Sequence, residues 1–111
     1  MTFDCADPAR LAAFWSEALG WERQGQNVKK PGGGIYLESI EVPEPKTVKN
    51  RLHLGLHADD LDAEIERLVA LGATCLWEEL FPPEWPYRNA VLCDPEGNEF
   101  CLGAEGARPV R

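Results

Sequence analysis

The segment 51–72, RLHLGLHADDLDAEIERLVALG, contains signals for a strand, a helix start, an amphipathic helix and a helix stop in that order. Leucines alternate with other residues in its first part, which predicts a strand with Leu52, Leu54 and Leu56 on one face. Both histidines of the chain, His53 and His57, then lie on the opposite face. The following helix has two candidate N-caps, an apolar stripe at helical spacing and a glycine stop: Asp59, Asp60, Leu61, Ile65, Leu68, Val69 and Gly72.

The same unit occurs a second time, earlier in the chain. The residues that match at a constant offset are Asp7, Ala18, Leu19 and Gly20 with Asp59, Ala70, Leu71 and Gly72. Asp7 followed by Pro8 predicts an N-cap with proline at the first helical position. The expected helices are therefore Pro8 to Leu19 and Leu61 to Leu71. A copy of roughly fifty residues is too small to enclose a core alone, so the two copies must share one.

Further strands complete each copy. In the first copy, Thr2 to Ala6 and Ile35 to Val42 have strand patterns, whereas Trp21 to Lys30 is polar and gives only a loose indication of a strand near Trp21. In the second copy the predicted strands are Thr74 to Leu80, Arg88 to Cys93 and Glu99 to Gly103. The last two are joined by Asp94-Pro95-Glu96-Gly97-Asn98, the strongest hairpin signal in the chain. Three prolines between Phe81 and Pro86 predict a loop, and 104–111 is expected to be a tail.

Composition limits the classes of partner. Eleven basic and nineteen acidic residues give a formal charge of −8, which disfavours nucleic acid and anionic membrane surfaces. The start of the chain has no basic and apolar leader, and no apolar run approaches the ~20 residues that span a bilayer. A cytoplasmic location is therefore expected. Four cysteines without a C-x-x-C pair favour buried, reduced thiols over a disulfide or zinc framework.

Three segments together resemble a known family: FDCADPARLAAFWSEALGW, VPEPKTVKNRLHLGLHADDLDAEIERLVALGA and DPEGNEFCL. The chain looks like a vicinal oxygen chelate protein of the glyoxalase-like branch, related to glyoxalase I, bleomycin-resistance proteins and extradiol dioxygenases. The resemblance implies an α+β fold in which two βαβββ modules form a cupped, eight-stranded mixed sheet. It implies one domain over 1–103, with module 1 at about 1–45, module 2 at about 51–103 and a tail at 104–111.

The resemblance also implies where a divalent metal would bind. His53 stands at the first-strand histidine of the second module, and Glu38 lies on the strand that closes the first module. Cys101 stands where relatives have a glutamate, and the first-module histidine falls at Met1 or just before it. Two nitrogen or oxygen ligands with one thiol are an incomplete set for most divalent ions. The sequence therefore favours a pocket without a retained metal, and a zinc, nickel, iron or manganese site stays open as the alternative.

We therefore expect the chain to bind a small organic molecule in the cup of the sheet. The expected pocket residues are Asp4, Tyr36, His57, Trp77, Trp85 and Glu99. Two alternatives are a metal-dependent lyase, isomerase or dioxygenase that uses Glu38, His53 and Cys101, and a protein that sequesters a cationic or aromatic compound, as in bleomycin resistance. A subunit without chemistry is a third class. A homodimer is expected because open sheet edges invite pairing.

Overall fold

The computed structural model describes residues 1–105 and contains two βαβββ modules. The elements are β1 (Thr2–Cys5), α1 (Pro8–Leu19), β2 (Glu22–Gln24), β3 (Asn27–Lys29), β4 (Tyr36–Glu41), β5 (Leu54–His57), α2 (Leu61–Leu71), β6 (Thr74–Glu79), β7 (Tyr87–Cys93) and β8 (Glu99–Glu105). They form two four-stranded mixed sheets. The α+β fold predicted from the sequence is confirmed.

The first structural unit comprises Met1–Val48 together with Pro95–Gly97. Its sheet has the order β1-β4-β3-β2, with β1 parallel to β4 and the other pairs antiparallel. Helix α1 packs on one face of this sheet through Trp15, which is 1% exposed and stacks on Phe3 at a centroid distance of 5.8 Å. Trp15 is thus a core residue.

Both ends of α1 are held by side chains and backbone geometry that the sequence indicated. The Asp7 carboxylate accepts a hydrogen bond from the Arg10 backbone N–H at 3.1 Å, and Gly20 ends the helix with φ of 68°. The Glu96 carboxylate also accepts hydrogen bonds from the backbone N–H groups of Ala6 and Asp7, at 2.8 and 3.0 Å. A negative charge at a helix N-terminus is favourable because the N–H groups there have no partners within the helix.

The second unit comprises Lys49–Asp94 and the chain from Asn98 onward. Its sheet has the order β5-β8-β7-β6, with β5 parallel to β8. The contact between α2 and this sheet is built from residues that are at most 2% exposed: Leu61 and Leu68 on α2, and Ala90, Leu92, Phe100, Leu102 and Ala104 on the strands. Asp60, the second of the two candidate caps, accepts a hydrogen bond from the Ala63 backbone N–H.

The turn between β7 and β8 follows the predicted hairpin chemistry. Asp94 is 2% exposed, and its carboxylate accepts hydrogen bonds from both the backbone N–H and the side-chain amide of Asn98. Gly97 adopts φ of 84°, a left-handed conformation that residues with a Cβ rarely adopt. The D-P-E-G-N pattern is therefore explained by the turn itself.

Several boundaries differ from the expectations. β5 begins at Leu54, and Leu52 is 73% exposed, so Leu52 and His53 precede the strand. Val69 is exposed although its spacing placed it on the apolar stripe of α2. The segment Trp21 to Lys30 contains two short strands, β2 and β3. β8 continues to Glu105, and the rest of the predicted tail, 106–111, lies outside the described residues.

The cysteines are less buried than the sequence predicted. All four cysteines are free, but only Cys5 is buried, whereas Cys75 is exposed and Cys93 and Cys101 are half-buried. The prediction of uniformly buried thiols was wrong, because Cys93 and Cys101 lie on the sheet face that does not pack on α2 and Cys75 lies on the edge strand β6. None of the helices within residues 1–105 has the length and hydrophobicity needed to cross a membrane.

Candidate functional site

In each module one face of the sheet packs on that module's helix, and we call the opposite face the helix-free face. In the first unit, strand alternation places Asp4, Tyr36 and Glu38 on the helix-free face, as predicted. Thr2 and Asn27 flank Glu38 on the neighbouring strands. The Thr2 hydroxyl donates to the Glu38 carboxylate at 3.5 Å, and the Asn27 Oδ1 is buried without a hydrogen-bond partner. This face is therefore polar, with acceptor oxygens next to one another.

In the second unit, two glycines open the middle of the helix-free face. Gly55 pairs with Cys101, and His57 pairs with Gly103, so an imidazole and a thiol each lie beside a residue without a side chain. A Cβ added to Gly55 would lie 3.4 Å from the Cys101 Sγ. His57, a predicted pocket residue, and Cys101, a predicted metal ligand, thus share one surface on adjacent strands.

Gly103 is needed because another side chain occupies the space beside it. The Tyr87 hydroxyl lies 1.9 Å from the position that a Cβ on Gly103 would take, and the Asn89 Oδ1 lies 3.5 Å from it. Asn89 pairs with Gly103 across the sheet, on the side opposite His57. A phenol hydroxyl, a carboxamide and an imidazole therefore surround Gly103 and offer hydrogen-bond donors and acceptors to a polar ligand.

The remaining predicted pocket residues of the second unit lie at different places. Trp77 pairs with Val91 on the helix-free face and is 47% exposed. Glu99 pairs with Cys93 on the same face, where its carboxylate accepts a hydrogen bond from the Asn50 backbone N–H at 2.9 Å. Trp85 is not on a strand but in the loop 80–86 between β6 and β7.

That loop encloses a pocket of about 270 Å³, which we call the loop pocket. The Phe81 ring lies against Trp85 at 6.4 Å and against Tyr87 at 5.6 Å between centroids. The lining consists of one loop and the strand ends beside it: Glu78, Glu79, Leu80, Phe81, Pro82, Pro83, Trp85, Pro86, Tyr87 and Arg88. Tyr87 lines this pocket and also reaches Gly103, so the loop pocket adjoins the helix-free face.

Arg88 closes one side of the loop pocket with its donors already engaged. Its guanidinium donates to both Asp62 carboxylate oxygens, at 3.0 and 3.2 Å, and to Glu78 at 2.6 and 3.4 Å. These hydrogen bonds, first from Asp62 and then from Glu78, raise the pKa of Arg88 above its ordinary value. Two carboxylates therefore share one guanidinium.

The predicted metal ligands occupy related positions, but they do not make a recognisable metal site. Thr2 pairs with Glu38 as Gly55 pairs with Cys101, so Glu38 and Cys101 stand at equivalent places in their sheets. Thr2 of β1 is the counterpart of Gly55 of β5, so the residue two places before Gly55, His53, has its counterpart before Met1. His53 itself lies outside β5. Within 1–105, no group of three or more His, Cys, Asp or Glu residues could hold a metal ion.

The sequence analysis missed Asn89 and Gly103 as site residues. Asn89 falls within a strand whose pattern is dominated by apolar residues, and only its pairing with Gly103 reveals its place. Gly103 did leave a signal, because a glycine at the end of an apolar strand often marks a close approach by another group. The approaching group, Tyr87, is distant enough in sequence that the pattern could not identify it.

Comparison with known proteins decides the family. The family model described as a glyoxalase-like domain matches residues 1–103. The chain belongs to the glyoxalase-like domain family. It is accordingly a member of the vicinal oxygen chelate superfamily. No individual curated protein matches the chain.

Several solved structures have the same fold. A glyoxalase/bleomycin resistance protein/dioxygenase family enzyme from Burkholderia phytofirmans PsJN is 18% identical, with 95% of each chain covered and a TM-score of 0.72. A glyoxalase-related enzyme from Fulvimarina pelagi is 20% identical over 95% of this chain and 85% of that one, with a TM-score of 0.68. A mutant of the fosfomycin resistance protein FosX from Listeria monocytogenes, complexed with Mn(II) and 1S,2S-dihydroxypropylphosphonic acid, is 17% identical over 96% and 86%, with a TM-score of 0.72. At these identities the likeness concerns the fold.

Proposed function

We propose that this glyoxalase-like chain binds a small organic molecule on the helix-free face of its second sheet and needs no retained metal to do so. The observation that carries the proposal is the group around Gly103. Tyr87, Asn89 and His57 present three different hydrogen-bonding side chains there, beside surface left open by glycine. Ligand sites combine such a small number of polar groups with an apolar wall.

The loop pocket supplies the apolar wall. Its aromatic and proline side chains adjoin Tyr87, so a ligand can place a polar group over Gly103 and an apolar group in the loop pocket. His57 is exposed and can accept or donate a hydrogen bond at its imidazole. This arrangement supports the binding of a ligand. Binding without a reaction would sequester that ligand, as in bleomycin resistance.

A metal-dependent enzyme is the second candidate. The equivalent placement of Glu38 and Cys101 and the Mn(II) complex of the Listeria neighbour favour it. Glu38, His53 and Cys101 would be the ligands, with zinc, nickel, iron or manganese as the ion. The absence of a ligand cluster within 1–105 counts against this candidate, so we derive no reaction step from it.

One experiment separates the two candidates. Chelator-treated protein is screened against small organic molecules by thermal shift, and each hit is mapped by amide chemical-shift perturbation. We expect metal-free hits that perturb β5, β7 and β8 and that are weakened at least tenfold by His57→Ala or Asn89→Ala. Val48→Ala, an exposed site in the first unit, is the matched control. Binding that appears only after metal is added, and is lost in Glu38→Ala and His53→Ala, would favour the enzyme instead.

A further inference from the structure

We propose that the polar group bound above Gly103 is an uncharged cis-amide, as in a lactam, and that Asn89 recognises it through a pair of hydrogen bonds. This proposal rests on the proposed function for the place where the ligand binds. It adds the chemical class of the ligand's polar end.

Asn89 and His57 lie on either side of Gly103 on the helix-free face. Asn89 pairs with Gly103 across β7 and β8, and His57 pairs with Gly103 across β5 and β8. Neighbouring strands lie about 4.8 Å apart, so these two side chains rise from backbones about 10 Å apart with only a glycine between them. The Tyr87 hydroxyl lies low in this gap, 1.9 Å from the position of a Cβ on Gly103. The gap therefore admits one small planar group between polar walls.

The polar side chains of the gap have no hydrogen-bond partner within residues 1–105. This holds for the Tyr87 hydroxyl, the Asn89 carboxamide and the His57 imidazole. Asn89 is half-buried, and a ligand that covers it displaces the water on its amide. Because an unpaired polar group in an interface costs free energy, a well-bound ligand matches both the donor and the acceptor of this amide.

The carboxamide of Asn89 presents its donor and its acceptor side by side. The Nδ2 hydrogens and Oδ1 lie in one plane, and a rotation by 180° exchanges the two atoms without changing the edge they form. The complementary edge is an N–H beside a C=O in the cis arrangement, and asparagine pairs with a donor–acceptor edge of adenine in the same way. A lactam ring holds its amide cis, so this edge needs no ordering on binding.

Charged groups match this edge poorly. A carboxylate has only acceptors, so it cannot pair with the Asn89 Oδ1. It would also lie near the carboxylates of Glu79, which pairs with Asn89, and of Glu105, which pairs with Tyr87. An ammonium group has only donors, so it leaves the Asn89 Nδ2 without an acceptor. An uncharged group that carries both a donor and an acceptor satisfies the whole edge.

The test uses non-aromatic bicyclic probes of nearly equal shape: decahydroquinolin-2-one, its N-methyl derivative, 2-decalone, decahydroquinolinium and decahydronaphthalene-2-carboxylate. Affinities for chelator-treated protein are measured by NMR titration, in which the side-chain amide resonances of Asn89 are followed. We expect the lactam to bind about tenfold more tightly than 2-decalone, because the ketone lacks one of the two hydrogen bonds. The other three probes should also bind more weakly than the lactam.

Asn89→Leu separates recognition from structural support. It should reduce the preference for the lactam over 2-decalone from about tenfold to about equal affinity, because the ketone and the lactam then meet the same apolar side chain. A merely structural role of Asn89 would weaken both probes alike and leave their ratio unchanged. Gln24→Leu, the same change from amide to leucine on the exposed strand β2, is the matched control and should preserve the preference. Amide spectra confirm that each variant is folded.

Four results would overturn the proposal: no binding of any probe, equal affinities for the lactam and 2-decalone, an N-methylated or charged probe that binds as tightly as the lactam, or an unchanged ratio in Asn89→Leu. The proposed function is decided separately by the screen described above. If the ligands found there depend on His57 and Asn89 but the lactam shows no preference, the amide assignment fails while the proposed function stands.

Discussion

At the scale of single residues, the candidate site depends on a glycine whose space is taken by a tyrosine. The Tyr87 hydroxyl and Cζ lie 1.9 and 2.8 Å from the position of a Cβ on Gly103. Gly103→Ala must therefore displace Tyr87, and such overpacking typically costs about 1–3 kcal/mol of unfolding free energy. Urea unfolding measures this loss of unfolding free energy. Gly25→Ala is the contrasting variant, because the positive φ of Gly25 strains a residue with a Cβ while no atom lies within 4 Å of that Cβ.

A double-mutant cycle identifies the cause of that effect. In a Tyr87→Ala background, Gly103→Ala should be much less destabilising, because the group it collides with is gone. An equal loss of stability in both backgrounds would show that backbone conformation, rather than the tyrosine, requires glycine at this position. The Tyr87→Ala variant also tests whether ligand binding needs the hydroxyl.

A second prediction at this scale concerns the exposed thiol of Cys75. Partial burial, and next the negative charge of Glu78, raise the pKa of Cys75 above its ordinary value. Since only the thiolate reacts, alkylation of Cys75 at pH 8 should be slower than that of an unstructured cysteine peptide. Its rate should continue to increase at pH values where the peptide has levelled off. Iodoacetamide labelling with peptide mapping measures the rate. The prediction is contradicted if the alkylation rate of Cys75 reaches half its maximum at the same pH as that of the peptide, or at a lower pH.

At the scale of elements, Arg88 joins the start of α2 to β6 and β7. It bonds Asp62 on the helix and Glu78 on the adjacent strand. Arg88→Met would remove these hydrogen bonds and leave the two carboxylates near each other. Hydrogen bonds to charged groups contribute roughly 1.5–3 kcal/mol each where buried, and since Asp62 is exposed we expect a total loss of about 1–3 kcal/mol.

The matched control for Arg88 is Arg67→Met. Arg67 forms an ion pair with Glu64 on the surface of α2, and 46% of its side chain is exposed. Exposed pairs of this kind contribute about 0.2–1 kcal/mol, so the Arg67 variant should lose much less stability. The raised pKa keeps Arg88 protonated, so its contribution to the free energy of unfolding should not change between pH 6 and 9. Equal effects of the two substitutions in chemical unfolding would contradict the argument.

The elements were predictable from the sequence wherever local chemistry determines them. Both helices begin at aspartate caps and end at Gly20 and Gly72, and the D-P-E-G-N turn is held by its own side chains. The start of β5 and the strands β2 and β3 were not predictable in detail. β2 and β3 have three residues each and β2 is exposed, so their pattern is too short and too polar to mark them. β5 is defined by its pairing with β8, which is far along the chain.

The candidate site was predictable only in part for a related reason. Alternation along a strand assigns His57, Cys101, Asp4 and Glu38 to the correct faces, because the side-chain period of a strand is two. Which residues lie beside one another depends on the register between strands, and the turn signal between β7 and β8 did not by itself give that register. The contact of Tyr87 with Gly103 and the pairing of Asn89 with Gly103 therefore required the structure.

At the scale of the whole molecule, we predict a homodimer formed through the edge strand β6. Within its sheet β6 pairs only with β7, and Thr74, Cys75, Leu76 and Trp77 on it are all exposed. If two copies pair antiparallel about an axis between Leu76 and Trp77, these two residues oppose each other, and Glu78 and Glu79 oppose Cys75 and Thr74. No like charges then meet, and the free hydrogen-bonding groups of the edge become paired.

The formal charge of −8 determines how this dimer should respond to salt. Two copies repel each other over long range, and salt screens that repulsion within about 10 Å at 0.1 M. Sedimentation velocity at micromolar concentration should therefore show tighter association at 0.3 M than at 0.02 M salt. Leu76→Lys should give a monomer at both salt concentrations, whereas Val48→Lys, at an exposed site outside β6, should still dimerise. A wild-type chain that stays monomeric at high salt, or two variants that behave alike, would exclude β6 as the interface.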